Sequence, residues 1–206
     1  MFGKLEYKLK CGLHQVLSVL VLLIGLSCES PFSTRTPEDP ITQQSSWIQP
    51  TSPSYVMINL RNAIAEKNIS NYLRCLADTS TTDKEFRFYP EPTVMVNNPG
   101  LFDRWNKDNE LNYLNQLMLY LPTDSTSNLV FTSLREDVAP DSVILLQEYK
   151  LQLHYKCDDD CPRTLQGQAE FRLLRTLEDN WYIYRWTDTA TGDNATWSEI
   201  KARFGK

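Results

Sequence analysis

The sequence predicts an α+β fold in which N-terminal helices pack on a curved antiparallel sheet. In the N-terminal half, apolar residues recur at intervals of three and four, which is typical of helices that bury one face. From residue 129 onward, apolar and polar residues alternate over long stretches, which is typical of half-buried strands. Residues 53–206 suit one domain in length, so we expect a single folded unit.

Three helices are predicted before the long strands. The first has Ser52 as its N-cap and Pro53 at its first position, and it ends at Lys67. A second, short helix follows directly. The third starts after Asn106 or Asp108, either of which can cap it. Its predicted buried stripe consists of Leu111, Leu114, Leu117, Met118 and Leu121.

Short turn signals divide the rest of the chain into strands. The predicted strands are 86–89, 129–135, 143–156, 164–174 and 181–187, and a short helix or turn follows at 198–204. The proline-containing segment up to residue 104 is predicted to be irregular. Alternation places His154 on the solvent face of its strand. In the last strand, it places Tyr184 and Trp186 on one face and Arg185 on the other.

Several stretches resemble a known fold. They read VMINLRNAIAEKNISNYLRCLAD, FRFYP, RWNKDNE and QAEFRLLRTLEDNWYIYRWTDT. In this order they resemble the nuclear-transport-factor-2-like (NTF2-like) fold, also called SnoaL-like or cystatin-like. The chain is similar in particular to uncharacterised bacterial lipoproteins of this fold. These end in a Trp-rich strand and then a tryptophan, a lysine and an aromatic residue. Here that ending is WSEIKARF, Trp197 to Phe204.

Residues 1–27 are predicted to be a lipoprotein-type signal peptide. Three lysines precede an eleven-residue apolar run, Val16 to Leu26, which is too short to span a bilayer. The run ends in Gly25-Leu26-Ser27, and Cys28 follows. This junction resembles a lipobox, which implies that Cys28 carries lipid and that the protein is exported and anchored to the bacterial cell envelope, facing the periplasm. Ordinary secretion is the alternative, since a peptidase cutting at the same bond would leave Cys28 as a free N-terminal thiol.

Residues 28–52 are predicted to be a flexible tether. They are rich in Ser, Thr, Pro and Gln, and such a composition cannot build a packed core. Trp47 and Ile48 are apolar exceptions that can dock on the domain. The formal net charge of the chain is −5, and loss of the signal peptide with its lysines makes it more negative. This balance argues against nucleic acid as a partner.

Cys157 and Cys161 are predicted to form a disulfide. They flank three aspartates in the sequence CDDDC, and an exported protein meets an oxidising compartment. The alternative is a metal site built from the two thiolates and the aspartates, but two sulfurs without a second pair or a nearby histidine make a poor zinc set. We therefore predict no metal and no cofactor.

No catalytic residue is predicted. The sequence has no Gly-rich phosphate loop, no serine nucleophile elbow and no HExxH motif. The resemblance covers Tyr55 to Phe204 and implies a pocket between sheet and helices, where enzymes of the fold place an acid, a histidine or a tyrosine. If the protein is an enzyme of this fold, the candidate catalytic acids are Asp103, Asp108 and Asp188. The aromatics that could line an apolar pocket, or simply form the core, are Tyr89, Trp105, Tyr182, Tyr184 and Trp186.

The expected function is binding by a membrane-tethered bacterial lipoprotein. The partner is either a small hydrophobic ligand or an envelope protein, and the membrane is reached through lipidated Cys28. A large aromatic pocket would favour the ligand, whereas a filled interior with an exposed apolar sheet face would favour the protein. The alternative function is that of a SnoaL-like isomerase or hydrolase acting on a hydrophobic small molecule.

Overall fold

The computed structural model describes residues 45–156 and 161–206. The predicted signal peptide, Cys28, the first part of the predicted tether and Cys157 lie outside the described residues. Within those that are described, no helix is long and apolar enough to cross a membrane.

Five helices lie in the described part of the chain. They are α1 (Pro53–Ala65), α2 (Ile69–Arg74), α3 (Pro92–Asn97), α4 (Lys107–Tyr120) and α5 (Trp197–Phe204). The predicted start of α1 is confirmed, because the Ser52 side chain caps it and Pro53 is its first residue. Asn106 caps α4 by accepting from the backbone of Asp108 and Asn109. Helix α3 lies in the segment predicted to be irregular, and the Glu91 carboxylate caps it.

The sheet has five strands in the order β1-β5-β4-β3-β2. The strands are β1 (Arg87–Tyr89), β2 (Asn128–Ala139), β3 (Ser142–Gln152), β4 (Thr164–Arg175) and β5 (Trp181–Thr189). Strands β2 to β5 form an antiparallel meander. The short β1, a predicted strand, pairs parallel with β5 at the opposite edge of the sheet. The sequence did not predict this parallel pairing. The predicted class, helices packed on a curved and mainly antiparallel sheet, is confirmed.

A bulge in β5 changes which side chains face the core. Ile183 lies opposite Leu173, but Arg185 lies opposite Arg172, so Tyr184 is an extra residue on its strand. The inward positions are therefore Trp181 and Ile183 before the bulge and Trp186 and Asp188 after it. The sequence analysis predicted that Tyr184 and Trp186 lie on the same face of this strand. That prediction is wrong, because the bulge at Tyr184 interrupts the alternation.

The end of the predicted tether is part of the folded unit. Asn59 of α1 holds the backbone of Ile48 through both polar atoms of its side chain. The Trp181 N–H donates to the Pro50 carbonyl at 2.8 Å, and Pro50 is buried. Arg74 lies over the Trp47 ring, 3.9 Å from its centroid. The folded domain therefore begins at or before residue 45 instead of at residue 53, and residues 45–52 form a docked segment on its surface.

Aromatic side chains fill the space between sheet and helices. Trp105, Trp186 and Trp197 are each at most 1% exposed. Trp186 and Trp197 meet edge to face with ring centroids 4.5 Å apart, and Phe102 stacks on Trp105 at 4.9 Å. A cavity of about 20 Å³ lies beside Trp197, lined by apolar side chains together with Tyr72, Tyr113 and Ser127. That volume is enough for about one water molecule.

Candidate functional site

A buried ion pair joins α4 and α5 inside the domain. The Lys201 Nζ of α5 donates to Glu110 Oε1 of α4, and both side chains are 0% exposed. Trp105 Nε1 donates to the same carboxylate at 2.7 Å, and the Tyr72 hydroxyl donates to Oε2 at 2.9 Å. Glu110 thus accepts hydrogen bonds from three different side chains, which is what a buried carboxylate needs to remain in a folded core.

Aromatic rings enclose the other side of the Lys201 ammonium. Its Nζ lies 4.2 Å from the centroid of the Phe88 ring and 4.5 Å from that of the Trp186 ring. The rings of Tyr113 and Trp105 are also within 6 Å. Ring faces attract a cation, so they replace part of the lost hydration. Burial nevertheless lowers the pKa of Lys201 below its usual range, against the opposing effect of the Glu110 charge.

Asp188 is a second buried carboxylate near Lys201. Its Oδ1 accepts from the Tyr149 hydroxyl at 2.8 Å, and its Oδ2 accepts from the Ser198 backbone N–H at 2.7 Å and from the Ser198 hydroxyl. Burial raises the pKa of Asp188, although the hydrogen bonds and the Lys201 charge act in the opposite direction. The Tyr149 hydroxyl also accepts from the Trp197 N–H at 2.8 Å, so Asp188 and Tyr149 together hold the start of α5 against the sheet.

The buried charges form a closed structural network. Glu110 and Asp188 each accept three hydrogen bonds, and both are within the core. The cavity of about 20 Å³ near them is far smaller than the roughly 300–1,000 Å³ of pockets for drug-sized ligands. Among the described residues, no group of His, Cys, Asp and Glu could hold a metal ion. The arrangement fixes α5 in the fold.

The three candidate catalytic acids lie in different environments. Asp103 and Asp108 are exposed, and Asp108 is in the first turn of α4. Asp188 is 1% exposed in the network described above. His154 is exposed, as its place in the alternation predicts, and its Nδ1 lies 3.0 Å from the Thr126 carbonyl oxygen. The structure therefore brings one of the three acids into the interior.

The five candidate pocket aromatics do not line one pocket. Trp105 and Trp186 lie in the filled core, and Tyr89 is 43% exposed at the sheet edge beneath the Arg185 guanidinium. Tyr182 and Tyr184 are half-buried. The bulge in β5 accounts for this separation, because it places Trp186 inward while Tyr182 and Tyr184 stay away from the core. A pocket lined by all five is thus not present.

Comparisons with solved structures place this architecture among known folds. A protein assigned as an aromatic ring hydroxylase from Novosphingobium aromaticivorans matches with a TM-score of 0.52 at 13% identity, over 72% of this chain and 92% of that chain. A conserved protein from Planctomyces limnophilus matches with a TM-score of 0.51 at 13% identity, over 67% and 92% of the two chains. A cystatin-like domain of unknown function from Nostoc punctiforme matches at 8% identity, over 66% and 73%, with a TM-score of 0.44.

The domain has the NTF2-like, cystatin-like fold. No protein-family model matches the chain, and no curated protein matches it. Identities at this level show the fold alone and carry no reaction to this chain.

Two residues of the NTF2-like domain escaped the sequence prediction, namely Glu110 and Lys201. Each lies on an apolar stripe with helical spacing: Glu110, Tyr113, Leu114 and Leu117 on α4, and Trp197, Ile200, Lys201 and Phe204 on α5. A charged residue at a stripe position was the available signal for a buried pair. Of the stripe predicted for α4, Leu114, Leu117 and Leu121 are buried and Met118 packs against the core, whereas Leu111 is 37% exposed.

The predicted disulfide of the NTF2-like domain falls partly on residues that are not described. Cys161 is buried and disulfide-bonded. Cys157 lies outside the described residues, so its pairing with Cys161 stays a prediction. Cys75 is a buried free thiol on the core side of the segment after α2, and burial raises its pKa well above the usual range.

Proposed function

We propose that this protein is a membrane-tethered bacterial lipoprotein whose NTF2-like domain works by binding a partner at its outer surface. The observation that carries the proposal is the filled interior. Trp105, Trp186 and Trp197 occupy the space in which a hydrophobic ligand was expected, and the cavity beside Trp197 measures about 20 Å³. Binding therefore has to use surfaces outside the core.

Larger cavities at the surface are consistent with this proposal. A groove of about 560 Å³ runs between α3 and α5, and residues of the loop after β5 close one side of it. Strand β2 is an edge of the sheet that the described residues form, and Val130, Leu134 and Val138 on it are between 47% and 73% exposed. Arg135 and Asp137, which form an exposed ion pair between them, protect this edge against unspecific pairing. Both surfaces can accept a partner from the envelope.

The proposed anchor rests on the sequence around Cys28. If that residue carries two or more acyl chains, the domain stays on the membrane stably. The segment after Cys28 then reaches the domain at residue 45, where the Ser45 hydroxyl accepts from the Asn71 side chain at 2.6 Å.

Intact mass measurement of the protein purified from its native membrane tests the proposal. We expect a chain that begins at Cys28 and carries a covalent diacyl or triacyl mass, and a Cys28→Ser variant that stays unprocessed or unlipidated. A chain that begins at Cys28 without lipid would contradict the tether. Measurement under non-denaturing conditions, before and after organic extraction, reveals whether a ligand is also bound.

Asp188 supports a second candidate, an NTF2-like enzyme. It is a buried carboxylate with a raised pKa, and such groups are over-represented at reaction centres. In this version the core has to open to admit a hydrophobic substrate. The test is turnover of a panel of hydrophobic ketones and esters, followed by mass spectrometry. Activity that is lost in Asp188→Asn and kept in Asp108→Asn would support the enzyme, and absence of turnover across the panel would argue for binding.

A further inference from the structure

A small cavity lies where the docked segment 45–52 meets the domain. Its volume is about 220 Å³. Trp47 of the docked segment lines one side, Arg74 at the end of α2 and Lys107 at the start of α4 contribute to the walls, and Tyr182 of β5 completes them. We call this cavity the basic slot. It is distinct from the filled core, and Tyr182 is the one member of the predicted aromatic set that lines it.

Positive charge exceeds negative charge in the basic slot. Arg74 and Lys107 are its cations, and Asp78 is its carboxylate. Lys107 Nζ lies 3.2 Å from Asp78 Oδ2, and the Ser80 N–H donates to Asp78 Oδ1 at 2.9 Å, so this carboxylate is already neutralised locally. The slot keeps one excess positive charge in a chain with a net charge of −5. That excess matches a ligand with a single negative charge.

Arg74 is held in a geometry that suits a carboxylate. Its guanidinium lies over the Trp47 ring, with Cζ 3.9 Å from the ring centroid. Its Nη1 donates to Asn71 Oδ1 at 3.3 Å. A guanidinium carries five N–H donors, so this one retains donors for a ligand, and a planar fork binds a carboxylate with two parallel hydrogen bonds.

The Trp47 indole provides an independent sign of a missing acceptor. Its Nε1 atom is buried and has no hydrogen-bond partner within residues 45–156 and 161–206. A buried N–H without an acceptor is unfavourable, so such groups are rare in folded proteins. The Nε1 atom has almost no accessible surface, so a small shift of the Trp47 side chain would let a carboxylate oxygen bound in the basic slot supply the acceptor. Two aromatic side chains and a proline also line the slot, and they favour a planar apolar body behind the charged group.

We propose that the basic slot binds a small aromatic carboxylate, with Arg74 and the Trp47 indole N–H at the carboxylate and the ring of Tyr182 against the aromatic body. The volume of about 220 Å³ is below the range for drug-sized ligands, which favours a single-ring compound. A phosphate fits less well, because its second negative charge exceeds the single excess positive charge of the slot. This inference rests on the proposed function in that it assigns binding to the outer surface.

Benzoate titration of the full chain in detergent tests the proposal. Tryptophan labelled with ¹⁵N gives an indole signal for each of the five tryptophans, and Trp47→Phe identifies the one that belongs to Trp47. Sodium benzoate should shift that signal saturably at constant ionic strength. Arg74→Gln should weaken benzoate binding by about tenfold or more, because it removes a charged hydrogen-bond donor. Cyclohexanecarboxylate should bind more weakly than benzoate, since it has no flat face.

Arg61→Gln is the matched control, because Arg61 is an exposed arginine on α1 that does not line the basic slot. Its affinity for benzoate should equal that of the unchanged chain. The proposal is overturned if benzoate gives no saturable shift at the Trp47 signal, or if Arg61→Gln and Arg74→Gln weaken binding equally. Inorganic phosphate that binds more tightly than benzoate would overturn the ligand class. A chain without lipid at Cys28 would refute the tether and leave this titration unaffected.

Discussion

The Lys201 ammonium and the Glu110 carboxylate form a hydrogen-bonded ion pair in which neither side chain has exposed surface. The pair joins α5, the last helix of the chain, to α4, which is about ninety residues earlier. Desolvation of two charges is costly, and the Trp105 and Tyr72 hydrogen bonds to Glu110 offset part of that cost. Removal of one partner should therefore be far more damaging than removal of both charges.

We expect Lys201→Met to lower the free energy of unfolding by about 3–5 kcal/mol, because it leaves the Glu110 charge buried and uncompensated. Glu110→Gln should be destabilising for the reciprocal reason. The double variant Glu110→Gln/Lys201→Met should lose less than either single variant, since the glutamine oxygen still accepts from Trp105. Urea unfolding of the four proteins gives the comparison.

Arg135→Ala is the control for this cycle. It breaks an ion pair with Asp137 whose side chains are 56% and 53% exposed, so the expected loss is at most about 1 kcal/mol. Additive losses in the Glu110 and Lys201 double variant would show that the two side chains do not act as a pair.

The sequence predicted the elements of the fold better than the internal site. Alternation in β3 and β4 and the caps of α1 and α4 are local signals, and they place these elements correctly. The bulge at Tyr184 depends on how β5 pairs with β4, so no periodicity within β5 could reveal it. The parallel pairing of β1 likewise depends on a distant strand.

Glu110 and Lys201 show why the site was harder to predict. Within its own helix each is only a charged residue on an apolar stripe, and its burial becomes reasonable only when the other residue is opposite. The WSEIKARF ending already contained the lysine, but the resemblance supplied no partner for it. Docking of the segment 45–52 also depends on a remote residue, Asn59, whose side chain matches the backbone of Ile48.

The pH dependence of stability should report on Asp188. Burial raises its pKa above the value of about 3.9 in an unfolded chain, so the folded state binds this proton more tightly. The stabilising contribution is fully present below about pH 3.9 and is lost as the pH rises through the pKa of the folded state. The asparagine side chain of Asp188→Asn does not titrate, so this variant does not lose stability in this way. Its stability relative to the unchanged chain should therefore improve as the pH rises, as measured by urea unfolding at several pH values. A difference that worsens with pH would contradict the raised pKa.

Asp78 should show the opposite dependence. The Ser80 hydrogen bonds, followed by that of Lys107, lower the pKa of Asp78 to about 2. Its contribution to stability is present above about pH 3.9 and is lost as the pH falls toward 2. Asp78→Asn should thus be less stable than the unchanged chain at neutral pH, and the two should converge in acid. Thermal unfolding between pH 2 and pH 7 measures this, and a constant difference throughout would be the contrary result.

Asn59 should control the docking of the segment 45–52. Its side chain holds both the N–H and the carbonyl of Ile48. We expect Asn59→Ala to increase hydrogen exchange at the Ile48 amide by at least about tenfold, because the amide loses its acceptor. Asn62→Ala, which removes a longer contact of 3.4 Å to the Ser46 carbonyl, serves as the control with a smaller effect. Equal exchange in both variants would show that other contacts hold the segment.

Gly167 leaves space for the hydroxyl that holds the start of α5. It lies opposite Tyr149 in the sheet, and a Cβ at this position would be 2.6 Å from the Thr189 carbonyl oxygen and 2.8 Å from the Tyr149 hydroxyl. That hydroxyl binds both Asp188 and the Trp197 N–H, so displacing it disturbs two buried hydrogen bonds. Gly167→Ala should therefore lower the free energy of unfolding by about 1–3 kcal/mol. Gln168→Ala, at the next position on the outer face of β4, should stay within about 0.5 kcal/mol of the unchanged chain. Urea unfolding measures the free energy of unfolding of both variants. A Gly167→Ala variant as stable as the control would mean that Tyr149 can move without loss of stability.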